Sequence, residues 1–199
     1  MEKPKTIHDF DGFPDKLFRQ EYPAPGTPAF AKETINTVNK TKIKQDFEWG
    51  LDHGTWSVLL PMYPQADIPV YQLSIDYTKG AQYHFDLAKE LFELRKKGVL
   101  IIGSGNIVHN LSRLKWIDGA YDWATEFDTL TKKLIDNNDF QSLINYDKLG
   151  EAAKLSVPTN EHYLPLLYAL ALKSDKDNIF YFNDKVTMGS ISMRSLLIG

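Results

Sequence analysis

The sequence predicts an α/β protein built as a single domain, with a mixed central sheet flanked by helices. Two stretches carry that class. Residues 81–97 place His84, Leu87, Ala88, Leu91 and Leu94 at helical spacing, and after Gly98 the apolar run Val99-Leu-Ile-Ile102 follows as a buried strand. Upstream, Ile68-Pro-Val-Tyr-Gln-Leu-Ser-Ile75 reads as another buried strand with Pro69 at its beginning, so strand, helix and strand succeed one another at α/β spacing. No repeat, low-complexity tract or polar linker divides the 199 residues, a length that can bury a sizeable core, and 1–199 is read as one domain.

The remaining elements follow in order. Residues 1–26 are irregular, with a short helix near Lys16 to Gln20. Thr27-Pro28 reads as an N-cap and a first-turn proline, opening a helix with Ala31, Ile35 and Val38 on one side. Lys40 to Phe47 is expected as a strand, and Val58-Leu59-Leu60 as a short helix ended by Pro61 and Pro64. Trp123, Phe127, Leu130 and Leu134 mark a helix from about Tyr121 to Asn137, with a shorter one around Phe140 to Tyr146. Pro165 fits the first turn of a helix leading through Leu166 to Leu172, which puts Glu161 and His162 at or just before its start. The end alternates as a hairpin, Ile179 to Phe182 against Val186 to Met193, around Asn183-Asp184-Lys185. The first 40 residues offer no strand, so the fold reads as one lacking its opening, its first two strands missing.

Composition narrows the function. Lys and Arg total 23 against 26 Asp and Glu, which lacks the basic footprint that phosphate binding leaves, so nucleic acid is not the expected partner. Arg95-Lys96-Lys97, the tight basic cluster, falls at a helix end that favours cations. The absence of cysteine removes disulfides, thiolate catalysis and Cys-ligated metal sites. The chain begins without a signal-like apolar run and holds none of membrane-spanning length; a cytoplasmic protein with no membrane partner is expected.

Five histidines remain as candidates for chemistry. His84 lies on the inward stripe of its helix and reads as a packed residue. His109 follows the strand through Gly103-Ser-Gly-Asn106, where small residues permit close approach, so it could bind a metal or accept a proton. That segment lacks the third glycine of a dinucleotide fingerprint. His53 sits between Asp52 and Gly54, bracketed by Trp49 and Trp56, which could wall a substrate site; a helix-capping turn histidine is the alternative. Glu161 and His162 are both metal-ligand types suited to ferrous iron or zinc, with simple N-terminal capping as the competitor. His8, among Asp9, Phe10 and Phe13, either lines a substrate pocket or packs.

Several strings resemble the class III extradiol ring-cleavage dioxygenase family: Thr6-Ile-His-Asp-Phe-Asp-Gly-Phe-Pro14, Tyr22-Pro-Ala-Pro-Gly26, Gly50-Leu-Asp-His-Gly-Thr-Trp56, Gln72-Leu-Ser-Ile-Asp76, Gly103-Ser-Gly-Asn-Ile-Val-His-Asn-Leu111, Pro158-Thr-Asn-Glu-His-Tyr-Leu-Pro-Leu166 and Met188-Gly-Ser-Ile-Ser-Met193. The resemblance spans the chain. It implies oxygen-dependent opening of a catechol such as DOPA with dioxygen as co-substrate, on a non-haem divalent metal, Fe(II) or Zn(II). It implies His109 and His162 at the metal, with Glu161 less favoured than His162, His109 alternatively as proton acceptor, His53 as a catalytic residue at the substrate or oxygen, and His8 and Trp56 at the substrate. All of this requires His53, His109 and His162 to converge on one pocket. Family members begin with two further strands that each end in a metal-ligand histidine, and neither is in this chain, so weakened metal binding, doubtful activity and self-association are expected of it. Two other functions compete: a zinc hydrolase using His109, His162 and Glu161, and a non-enzymatic scaffold on the same sheet.

Overall fold

The computed structural model describes residues 1–116 and 118–199, packed as two compact units, Met1–Ser74 and Ile75–Gly199. The boundary falls inside the apolar segment 68–75, which has none of the composition of a linker.

The first unit holds three helices, α1 (Asp15–Phe18), α2 (Pro28–Thr37) and α3 (His53–Met62). Pro28 starts α2 as the sequence suggests, although the Thr27 side chain makes no capping bond. Asp52 caps α3, its carboxylate accepting from the Thr55 N–H at 3.0 Å and from the Gln72 amide at 2.7 Å. The helix therefore starts at His53, earlier than the apolar turn alone suggests, and carries Pro61 in its last turn. Tyr22, Leu51, Trp56 and Leu59 form the core of this unit. The opening segment is tied in by a parallel bridge from Thr6 to Leu51 and another from Gly26 to Val70.

The second unit contains α4 (Ala81–Glu90), α5 (Phe92–Lys96), α6 (Asp122–Asp136), α7 (Phe140–Ile144), α8 (Glu151–Ser156) and α9 (Leu164–Ala171). α4 packs on α9 and α6 on α8, around a core that includes Phe85, Phe127, Tyr163, Leu164 and Leu167. The stretch expected as one helix over 81–97 is two, because the Leu91 N–H bonds back to Ala88 at 2.9 Å, a tighter turn that breaks the helical ladder.

Among the described residues the expected mixed central sheet is replaced by two small antiparallel pairs. β1 (Ile179–Phe182) pairs with β4 (Ser195–Ile198), and β2 (Val186–Thr187) with β3 (Ile191–Ser192). The segments 40–47, 68–75 and 99–102 are not strands. None of these segments is buried, Ile68, Leu100 and Ile102 being among the exposed apolar residues, and none has the neighbouring strand that would complete a ladder. The hairpin differs as well. Met188 and Gly189 both adopt positive φ, 51° and 79°, and turn the chain between β2 and β3, so that 195–198 returns alongside 179–182. The described residues include no helix long and apolar enough to cross a membrane.

A buried ion pair holds this end of the unit in register. Arg194 donates to Asp128 of α6 through Nε at 3.0 Å and through a terminal nitrogen at 2.6 Å, and the Ser192 hydroxyl donates to the same carboxylate at 2.6 Å. Ser192 in turn accepts from the Asn106 amide at 2.8 Å, while its N–H reaches the Val108 carbonyl at 3.0 Å. The glycine-rich segment is thus pinned to β3.

His84 is fully buried, with one ring nitrogen 2.9 Å from the Tyr168 hydroxyl and the other 3.0 Å from the Asp76 carbonyl. It packs without joining any metal-ligand cluster, as its place on the helix stripe suggests. Burial pulls its pKa below the ordinary value of about 6.5, partly offset by the Asp76 carbonyl. The folded state therefore binds this proton more weakly than the unfolded chain. Stability is full above about pH 6.5 and declines as pH falls below it. A His84→Gln variant is expected to show a shallower decline, measured by urea unfolding across pH 7 to pH 5.

Candidate metal centre and substrate cleft

Two segments of the second unit meet at His109. The first is 103–109, whose small residues are required by contact: a Cβ on Gly105 would overlap the His162 carbonyl oxygen, and one on Gly103 would overlap that of Pro165. The Asn106 N–H donates to the same His162 carbonyl at 2.9 Å, and the His109 N–H donates to Ser156 at 2.9 Å. The second is the turn 161–163, which delivers His162 immediately ahead of α9, with Pro165 in the first turn. A Gly105→Ala substitution must push the two segments apart. The expected cost is the roughly 1–3 kcal/mol of an overpacked site, measured by denaturant unfolding, together with weaker metal binding.

The segments bring His109, Glu161 and His162 together, with ligand atoms all within 4.8 Å of one another. The two imidazoles are stacked, centroids 3.5 Å apart and planes 10° from parallel. Burial, reinforced by the neighbouring His162 and opposed by Glu161, pulls the His109 pKa down to about 4. His109 is therefore neutral at physiological pH, the state in which imidazole binds a metal. The same value makes it a poor proton acceptor near neutrality. Glu161 is held by the Thr159 hydroxyl, which donates to it at 2.7 Å. Desolvation works against its ionised form, but that hydrogen bond, its own backbone N–H and the two imidazoles keep its pKa below the usual range.

Two imidazoles and a carboxylate are the donor set that suits a divalent ion such as ferrous iron or zinc. The set fits in kind and in reach. Because the rings are nearly parallel, their in-plane lone pairs do not point at one spot, and sharing an ion requires one ring to turn.

Beside this cluster a cleft of about 480 Å³ is lined by Tyr77, Tyr146 and the turn from Val157 to Glu161. Tyr146 stacks at a tilt on buried Tyr163, 4.5 Å between centroids, which fixes its ring as a wall. Burial, with the charges of Asp147 and Glu161, raises the Tyr146 pKa.

The first unit gathers a different set. His53 opens α3 with its ring Nδ1 2.9 Å from Asp9, and its backbone N–H donates to the same carboxylate oxygen at 3.0 Å. A carboxylate can only accept, so Nδ1 carries a proton, and in the neutral imidazole Nε2 is the acceptor. Burial disfavours the charged form of Asp9, but these two bonds from His53 outweigh it and lower its pKa. Sequence reading placed Asp52 next to His53, yet Asp52 is occupied as the helix cap, and the partner of the imidazole is Asp9, 44 residues away. His8 lies against Phe10, Phe18 and Trp56, with Nε2 2.8 Å from the Gln20 carbonyl. Trp56 is buried, and its indole N–H donates to Ile7 at 2.9 Å.

Comparison with known proteins gives the family. The chain is 45% identical over 208 residues to the 4,5-DOPA dioxygenase extradiol of Escherichia coli K12, covering all of this chain and 75% of that one. It is 38% identical over 199 residues to the protein of the same name from Portulaca grandiflora, covering 96% of this chain and 73% of the relative. The crystal structure of an uncharacterised protein from Escherichia coli K12 superposes with a TM-score of 0.83 at 39% identity, over 98% of this chain and 80% of that one. Residues 1–190 match the family described as the catalytic LigB subunit of aromatic ring-opening dioxygenase, and the chain belongs to that family.

Proposed function

We propose that this chain, 1–199, acts as the catalytic domain of an extradiol dioxygenase that opens a DOPA-like catechol. The observation that carries the reading is the convergence of His109 and His162, with Glu161, beside a cleft large enough for one substituted aromatic ring, in a chain of the LigB family. Family membership favours ring opening over the zinc hydrolase and over a scaffold without chemistry.

In this reading His109 and His162 hold the metal as neutral imidazoles. Ferrous iron held there supplies what side chains cannot, a template and an electron path between a catecholate and dioxygen. His109 acts as ligand, since a group with a pKa of about 4 takes up a catechol proton poorly at pH 7. Within the first unit, Asp9 fixes the ring and tautomer of His53, the histidine that the resemblance assigns to hydrogen-bonding the substrate or oxygen. His8 and Trp56 form the packed aromatic backing of the His53 segment, and Trp56, buried with its indole N–H on Ile7, supports that segment instead of meeting a substrate. The reaction balances without an outside reductant: one ring carbon–carbon bond breaks and both oxygen atoms enter the product.

Protein loaded with ferrous iron is tested with DOPA under labelled dioxygen. Oxygen uptake equal to catechol consumed, with both labelled atoms in the ring-opened product, is the expected result. Catechol consumption without oxygen uptake, or no consumption by iron-loaded protein, overturns the reading.

A further inference from the structure

The cleft beside the histidine pair has a chemical character that the donor set does not explain. Two of its walls are the phenol rings of Tyr77 and Tyr146, and its inner turn ends in the Glu161 carboxylate. None of the described residues lining it is Lys, Arg or His. A carboxylate and two phenol rings on one cleft whose lining holds no lysine, arginine or histidine form a surface that attracts a positive group, through charge-assisted hydrogen bonds to the acid and contact with the rings. Thr159 occupies one carboxylate oxygen at 2.7 Å and so sets the direction of the other. Tyr77 is 70% exposed and stands at the rim, while Tyr146 is held from behind by Tyr163.

We propose that this cleft recognises the protonated primary amine of a side chain attached to an aromatic ring, with Glu161 as the acceptor for the ammonium and Tyr77 and Tyr146 as the flanking walls. Glu161 then serves substrate selection, and the metal is left to His109 and His162. The proposal deepens the ring-opening reading and rests on it only for the ring being a catechol. It makes the enzyme selective for catechols carrying an amine over catechols carrying only an acid.

The test uses two ligands that are not catechols and so can neither chelate a metal nor be opened, 2-phenylethylammonium and 3-phenylpropanoate. Binding to metal-free protein is followed by ligand-observed NMR, and zinc affinity is titrated separately. The amine is expected to bind at least about tenfold tighter than the acid, a difference of about 1.4 kcal/mol. Glu161→Gln and Tyr146→Ala each remove that preference, and Tyr146→Ala leaves the zinc affinity within about twofold. Equal binding of the two ligands, an unchanged preference in Glu161→Gln, or a loss of zinc affinity above about tenfold in that variant overturns the proposal. Thr159→Val, which keeps the charge but releases the carboxylate, is expected to weaken amine binding to an intermediate degree, and circular dichroism checks that each variant is folded. Failure of catechol turnover alone leaves the amine preference standing, so the two readings fail separately.

Discussion

Replacing His162 with alanine is expected to abolish divalent-metal binding and ring opening together. His162 is one of two imidazoles whose donor atoms lie within 4.8 Å of each other, and it reaches that place through a turn locked by the Asn106 N–H on its carbonyl. That backbone bond survives the substitution, so the loop keeps its position and the loss is confined to the donor. Removal of groups that merely orient a metal ligand costs roughly 10- to 100-fold in affinity or activity, and removal of the ligand itself is expected to exceed the upper end of that range. Zinc or cobalt titration, with oxygen uptake on iron-loaded protein, measures both effects. Wild-type metal affinity in His162→Ala would remove the residue from the site.

His53→Ala is expected to lower kcat by roughly 10²- to 10⁴-fold, the range for loss of a positioned general base, while leaving metal affinity unchanged. Asp9→Asn tests the same assignment more gently. The amide oxygen still accepts from the His53 backbone and ring, but the negative charge beside the imidazole is gone. A fall in kcat of roughly tenfold, at the lower edge of what an orienting partner contributes, is expected with little change in KM. The split matters because a substitution that only loosened the start of α3 would alter folding and KM as well. An unchanged kcat in both variants would deny His53 a catalytic role.

Much of the site was legible from short strings, and the reason is local. Gly103-Ser-Gly-Asn106 and Pro165 each constrain the backbone within a few residues of a histidine, and the structure has His109 just after a close approach and His162 just before a helix. His84 was legible as a packed residue from its helix stripe. Asp9 was not assigned to His53, because the pairing joins residues 44 apart and depends on tertiary packing; the Asp52 beside His53 in sequence was needed to cap α3. The cleft walls were missed for the same reason, Tyr77 and Tyr146 arriving from segments with no shared pattern.

Sheet pairing was the least legible part. Asn183-Asp184-Lys185 has the composition of a tight turn, and nothing in a methionine at 188 signals a positive φ, so the reversal at Met188-Gly189 and the pairing of 179–182 with 195–198 had no local cue. The apolar runs at 68–75 and 99–102 satisfy the composition of buried strands without indicating a partner, and in the structure neither forms a ladder.

The face-to-face arrangement of His109 and His162 gives the protein a spectroscopic signature. With centroids 3.5 Å apart, the carbon-bound protons of each imidazole fall within the shielding cone of the other ring. Their resonances are expected upfield of an ordinary histidine. An ion shared between the rings requires one of them to rotate, so titration with a diamagnetic metal should return both sets of signals toward normal positions as the stack opens.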